Sequence, residues 1–185
     1  MRYKAYKEVD LPWVEEIPEH WGIGRIKGLC ENFYSGGTPT AGDSNYYTDT
    51  GEDYFLNISD LNSLYGINKA KKRLTKEGIR SKNLRKVNTG NIVYAMYASV
   101  GKVGVLEVDL YISQAFLSFK AKNIQTDYLK YYLYSLENFI PALTNSSTQK
   151  NLNAEIVKNI VVLVPTKKEQ EKIAKFLDWK INEID

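Results

Sequence analysis

Few residues in this chain can carry covalent or metal chemistry. One histidine, His20, and one cysteine, Cys30, are present. A Ser-His-Asp relay, a zinc site of Cys and His, and a disulfide framework each need more than that. Gly22-Ile23-Gly24-Arg25-Ile26-Lys27-Gly28 is one residue too long for the dinucleotide fingerprint. Gly101-Lys102-Val103 lacks both the upstream glycine and the hydroxyl of a phosphate loop. No Gly-x-Ser-x-Gly elbow occurs, and all five prolines are isolated, which excludes the Pro-Pro-aromatic motif of amino-group methyltransferases. Asp178-Trp179-Lys180 resembles a nuclease fragment, but its helical setting makes it a solvated face.

What remains is the chemistry of binding. Residues 71–86 hold Lys71, Lys72, Arg73, Lys76, Arg80, Lys82, Arg85 and Lys86 against Glu77 alone, in a chain whose formal net charge is only +3. The preceding residues 31–70 are acidic: Glu31, Asp43, Asp49, Glu52, Asp53 and Asp60 face only Lys69. A local field of this kind attracts polyanions even when the total charge is small. The plainer alternative is a solvated, lysine-rich surface.

The elements that must position these groups follow from pattern. With 185 residues, 43% apolar and 25% charged, the composition is that of one ordinary globular domain, with room for an appendage. Residues 12–21 read as a Pro-broken, extended lead-in whose Trp13 and Trp21 pin it to the domain. Ser35-Gly36-Gly37-Thr38-Pro39 is a loop. Strands are expected at 54–58, 92–98, 103–106, 111–119 and 160–164, and residues 25–34 form strands or a strand and a helical turn. Thr75-Lys76-Glu77-Gly78-Ile79 reads as one helical turn ended by glycine. Tyr128, Leu129, Tyr132, Leu133 and Leu136 have helical spacing. Asn153 is an expected N-cap. After Pro165, Thr166-Lys167-Lys168-Glu169 has capping-box form. The helix that follows carries Ala174, Leu177, Ile181 and Ile184 in a stripe, flanked by Ile173 and Phe176. It reaches Asp185 with no C-cap residue, so it is expected to continue or to meet a partner, the plainer alternative being a terminal helix packed on its own domain. Strands first and helices last predict an α+β fold. No apolar run approaches the ~18 residues of a membrane span. The first residues lack the apolar core of a signal peptide, so a cytoplasmic protein is expected.

In order along the chain, several short motifs now look familiar. They are Ile17-Pro18-Glu19-His20-Trp21, Ser35-Gly36-Gly37-Thr38-Pro39, Leu74-Thr75-Lys76-Glu77-Gly78-Ile79, the run from Ala95 to Gly104, Ser113-Gln114-Ala115, Gln149-Lys150-Asn151-Leu152-Asn153 and Glu169-Gln170-Glu171-Lys172-Ile173. Together they resemble the specificity subunit of type I restriction-modification systems, as one target-recognition domain with the start of its helical spacer. The resemblance implies a mixed-sheet, DNA-gripping domain over residues 1–165 and a coiled-coil type spacer helix from 166 to 185. It implies no catalysis and no cofactor. It implies double-stranded DNA as ligand and methyltransferase and restriction subunits as partners. A second recognition domain, or a second copy, would pair through Ala174, Leu177, Ile181 and Ile184.

On that reading, phosphates are gripped and base edges read by different groups. Lys69, Lys71, Lys72, Arg73, Lys76, Arg80, Lys82 and Arg85 form the expected grip. Arg73, Arg80 and Arg85 are the base-reading candidates, because a guanidinium places two donors on a guanine. Ser35, Gly36, Gly37 and Thr38 either offer amides to a phosphate or make a structural turn. Tyr97, Ser99 and Lys102 lie near a strand end, although for Tyr94 and Tyr97 core packing is the better reading. Gln149 and Lys150 belong to a polar loop with suitable groups. Motifs shared by proteins that read different targets should be scaffold, which favours the irregular segments 41–53 and 61–73 as base readers. The competing class is a protein-interaction module that assembles through its helix and never touches DNA.

Overall fold

The computed structural model describes residues 3–61, 66–144 and 151–184. The fold grows outward from the strand Ile92–Ala95, whose four residues are all fully buried. An apolar, β-prone run of that kind needs cover on both faces. In chain order the strands are β1 (Tyr6–Leu11), β2 (Val14–Pro18), β3 (Gly22–Arg25), β4 (Cys30–Ser35), β5 (Tyr47–Thr48), β6 (Tyr54–Leu56), β7 (Lys72–Leu74), β8 (Ile92–Ala95), β9 (Val103–Val105), β10 (Tyr111–Ile112), β11 (Phe116–Ala121) and β12 (Val161–Val164). The helices are α1 (Ile26–Leu29), α2 (Lys76–Ser81), α3 (Thr126–Ser135), α4 (Ile140–Thr144), α5 (Ala154–Asn159) and α6 (Lys167–Ile184).

The central sheet is antiparallel in the order β4-β11-β8-β9. Strand alternation divides its side chains. Ile92, Tyr94, Leu117 and Phe119 pack against α1, α3, α5 and β12, while Val93, Ala95 and Phe116 face a second sheet. That second sheet has the order β10-β6-β7-β5 and is mixed, because β10 and β6 run parallel. Its outer face buries Phe55 and Leu74 with Leu84 beneath α2. The molecule is thus α+β, layered as helices, central sheet, second sheet and α2, with a long C-terminal helix.

Several local expectations resolve differently. The lead-in is a hairpin, β1 with β2, and Pro12 sits in its turn rather than within a strand. Trp13 and Trp21 do pin it: Trp13 donates to the Tyr132 hydroxyl at 3.1 Å and Trp21 to Glu169 at 3.3 Å. The run 111–119 is two strands in different sheets, broken at Ser113-Gln114-Ala115, because a doubly buried apolar run has no period that marks its break. Gly78 lies inside α2 rather than ending it. A Cβ there would sit 2.3 Å from the Tyr46 carbonyl, so glycine is what lets α2 approach β5. The Thr75 hydroxyl caps α2 from the Gly78 amide at 3.0 Å, and Asn153 caps α5 from the Ile156 amide at 2.8 Å.

Candidate nucleic-acid interface

β4 and β8 finish, and β9 and β11 begin, at one end of the central sheet. Backbone bonds tie the loops of that end into a continuous rim. The Gln114 amide donates to the Thr38 hydroxyl at 3.2 Å. The Met96 amide donates to the Ala115 carbonyl at 2.8 Å, and the Leu152 amide to Met96 at 2.9 Å. Ser35, Thr38, Gln114, Tyr97, Ser99 and Asn151 are thereby neighbours on one rim. Tyr94 is buried, but Tyr97 is 41% exposed. The β8–β9 loop is strained, with Ala98 at φ +44° and Ser99 at φ +55°. Left-handed geometry costs roughly 1–2 kcal/mol per non-glycine residue, a cost that concentrates at working surfaces. Lys102 is half-buried.

Gly36 and Gly37 do not cradle an anion. Their amides donate to Phe116 and Ile112 carbonyls at 3.4 and 3.3 Å. A Cβ on Gly36 would meet the Ile112 carbonyl at 2.1 Å, so the pair makes a structural turn. The same turn brings cations to the rim, because a Cβ on Gly37 would touch the Leu84 side chain at 3.0 Å and Lys82 at 3.5 Å. Lys76, Arg80, Lys82 and Arg85 are exposed on α2 and the strap that follows it. Among the described residues no carboxylate pairs with any of these four.

The rest of the basic segment is not with them. Ile67 bridges Leu106 beyond β9, the edge opposite β4, and this carries Lys69 to that side. The Lys71 amide is held by Asp60. Lys72 lies over the Tyr47 ring at 5.3 Å, and burial pushes that phenol's pKa up. Arg73 stacks on Tyr54 at 4.8 Å and donates to the Asp49 carbonyl at 3.1 Å, so it braces β5 against β6 and is not free to reach a base. Lys86 pairs with Asp53 at 2.7 Å, and that carboxylate raises its pKa. Gln149 and Lys150 lie outside the described residues.

The helix stripe is also partly spent. Ala174 is only 2% exposed within its own chain. Leu177 and Ile181 are half-buried, and the Ile184 side chain lies outside the described residues. Tyr131 of α3 donates to Asp178, with Lys130 4.0 Å away, which fixes α6 along α3. Among the described residues of α6, the exposed large apolar groups are instead Phe176 and Trp179, at 55% and 50%. Cys30 is buried, which pushes its thiol up to about 12 and leaves it inert.

One feature has no counterpart in the motifs. A cleft of about 270 Å³ opens between β4 and the strap, lined by Asn32, Tyr34, Arg85, Asn88, Asn91 and Lys120 among others. Its only signal in the sequence is a broken alternation: Cys30 and Phe33 both serve the helix-side core at odd spacing.

Fold and surface together define an α+β domain with a cationic helix beside a polar rim. The chain belongs to the family described as Type I restriction modification DNA specificity domain, whose model matches residues 18–185. It is 25% identical over 181 residues to the type I restriction enzyme MjaIX specificity subunit of Methanocaldococcus jannaschii, a match that covers 94% of this chain and 40% of that protein. The HsdS subunit from Thermoanaerobacter tengcongensis shares the fold at TM-score 0.70 and 18% identity, over 94% of this chain and 40% of that one. The type I S subunit from M. genitalium does so at 0.61 and 16%, over 89% and 41%. This chain therefore spans about two-fifths of the relatives it matches.

Proposed function

We propose that this chain is a non-catalytic target-recognition domain that binds duplex DNA, reading one half of a bipartite site. The observation that carries the reading is the convergence of Lys76, Arg80, Lys82 and Arg85, unpaired by any described carboxylate, with the polar rim of the central sheet. Phosphate contacts from α2 would set the register, and Ser35, Thr38, Gln114, Tyr97 and Ser99 would meet base edges. Residues 1–165 form the recognition domain and residues 166–185 begin a spacer. In the cytoplasm the domain would work with methyltransferase and restriction subunits. A second recognition domain or a second copy would supply the other half-site. Family membership supports the assembly. The exposed Phe176 and Trp179 support a contact along α6.

One domain of this kind buries about 600–1,000 Å² on DNA, so weak binding is expected. If about four phosphates are neutralised, affinity should fall roughly a hundredfold between ~50 and ~200 mM salt. Fluorescence anisotropy with a labelled duplex tests this, and no salt-sensitive binding would leave the helix-mediated interaction module as the better reading. That rival has its own support in the aromatic pair on α6, whose rings lie 5.8 Å apart.

A further inference from the structure

We propose that the cleft between β4 and the strap is a phosphate seat. This rests on the DNA-binding reading and adds Lys120, Asn32 and Asn88 to the Arg85 already counted in the grip. The cleft is built by an irregularity. β11 pairs Ser118 with Tyr34 and Lys120 with Glu31, so Phe119 alone faces both Asn32 and Phe33. Asn32 takes the extra position with φ +57°, a conformation asparagine tolerates better than most residues. The bulge rephases the strand. Without it Glu31 and Tyr34 would point to opposite faces. With it Cys30 and Phe33 stay on the helix-side core while Tyr34 turns toward the cleft.

Tyr34 then orders the main cation. Its ring lies 4.5 Å from the Arg85 guanidinium, and its hydroxyl accepts the Arg85 amide at 3.1 Å. Lys120 stands on the same face of β11 as Ser118, which bonds Asn91 at 3.2 Å to make a polar floor. Asn32 and Asn88 complete the lining with amide donors. The nearby carboxylates are engaged: Glu31 with Lys122 at 3.0 Å, Asp53 with Lys86 at 2.7 Å, and Asp109 with the Thr89 amide at 2.7 Å. Lys86 is therefore neutralised, and the charge offered to an anion comes from Arg85 and Lys120. The site is concave, so it admits a phosphate group rather than the edge of a stacked base pair. That phosphate belongs either to a DNA strand or to free phosphate.

The test compares wild type, the double variant R85Q/K120Q, and K175Q on α6 as control, each first shown to melt normally. Two readouts are taken: the slope of duplex affinity against salt, and the side-chain amide resonances of Asn32 and Asn88 with inorganic phosphate at matched ionic strength. Loss of Arg85 from the grip alone makes the slope shallower by about one, at roughly 0.9 per phosphate contact, whereas a seat for DNA predicts about two in the double variant only. That larger change without a response to inorganic phosphate assigns the seat to the strand. Saturating amide shifts lost in R85Q/K120Q, with no duplex binding by wild type, assign it to free phosphate, and the DNA reading then fails alone. Duplex binding with a slope shallower by no more than about one and no amide shifts overturns the seat and leaves the DNA reading standing. No response of either kind overturns both.

Discussion

Arginine identity predicted less than arginine surroundings. Arg73, Arg80 and Arg85 are equivalent candidates in sequence, yet Arg73 is consumed by Tyr54 and the Asp49 carbonyl. Only packing distinguishes them, and packing partners many residues away leave no local mark. Two substitutions separate scaffold from surface. Gly36→Ala forces a Cβ into the Ile112 carbonyl and should cost about 3 kcal/mol, lowering the melting temperature by roughly 6–12 °C. Arg80→Glu with Lys82→Glu should leave melting unchanged but weaken duplex binding to all sequences alike, with a slope shallower by about two. Calorimetry reads the first and anisotropy the second. The cleft was illegible because its residues, Asn32, Asn88, Asn91 and Lys120, share no motif and meet only through a bulge.

Among the elements, those with a local signature, a cap or a regular apolar period, were legible, and those set by tertiary pairing were not. Asn153 before α5 and Thr166 with Glu169 before α6 sit where their hydrogen bonds require, because a cap is a local chemical need. The hairpin β1–β2 and the split between β10 and β11 depend on tertiary pairing and escaped the pattern. Glu169 does more than cap. Burial opposes its charge, but bonds from Thr166, His20 and Tyr3 hold its carboxyl at about 2, against an ordinary 4.5. The His20 contact is 2.9 Å, so this one carboxylate ties the N-terminal hairpin to α6. A depressed carboxylate contributes stability that is complete above its ordinary value and lost as pH falls through the folded value. The melting temperature of wild type should therefore exceed that of Glu169→Gln at neutral pH, and the gap should close between about pH 4.5 and about pH 2. A gap that persists at the acid end would remove the charge from the explanation.

Taken whole, the molecule presents Lys76, Arg80, Lys82 and Arg85 as a local cationic cluster on α2 and the strap, with the acidic loop 43–53 packed beside it through Asn45 and Tyr46. The hairpin β1–β2 exposes Glu8, Asp10, Glu15 and Glu16 and packs through Trp13 onto the helix layer, while α2 covers the opposite layer. The contiguous basic run overstates this cluster, because the fold holds Arg73 on Tyr54 and Lys86 on Asp53. Such a field orients a polyanion before contact. Lysine-reactive mapping by mass spectrometry, with and without a saturating duplex at low salt, tests the orientation directly. Lys76, Lys82, Lys102 and Lys120 should be shielded by DNA, while Lys7, Lys69 and Lys175 should react as in the free protein. Equal protection on both sides, or protection of α6 with α2 left reactive, would contradict the interface.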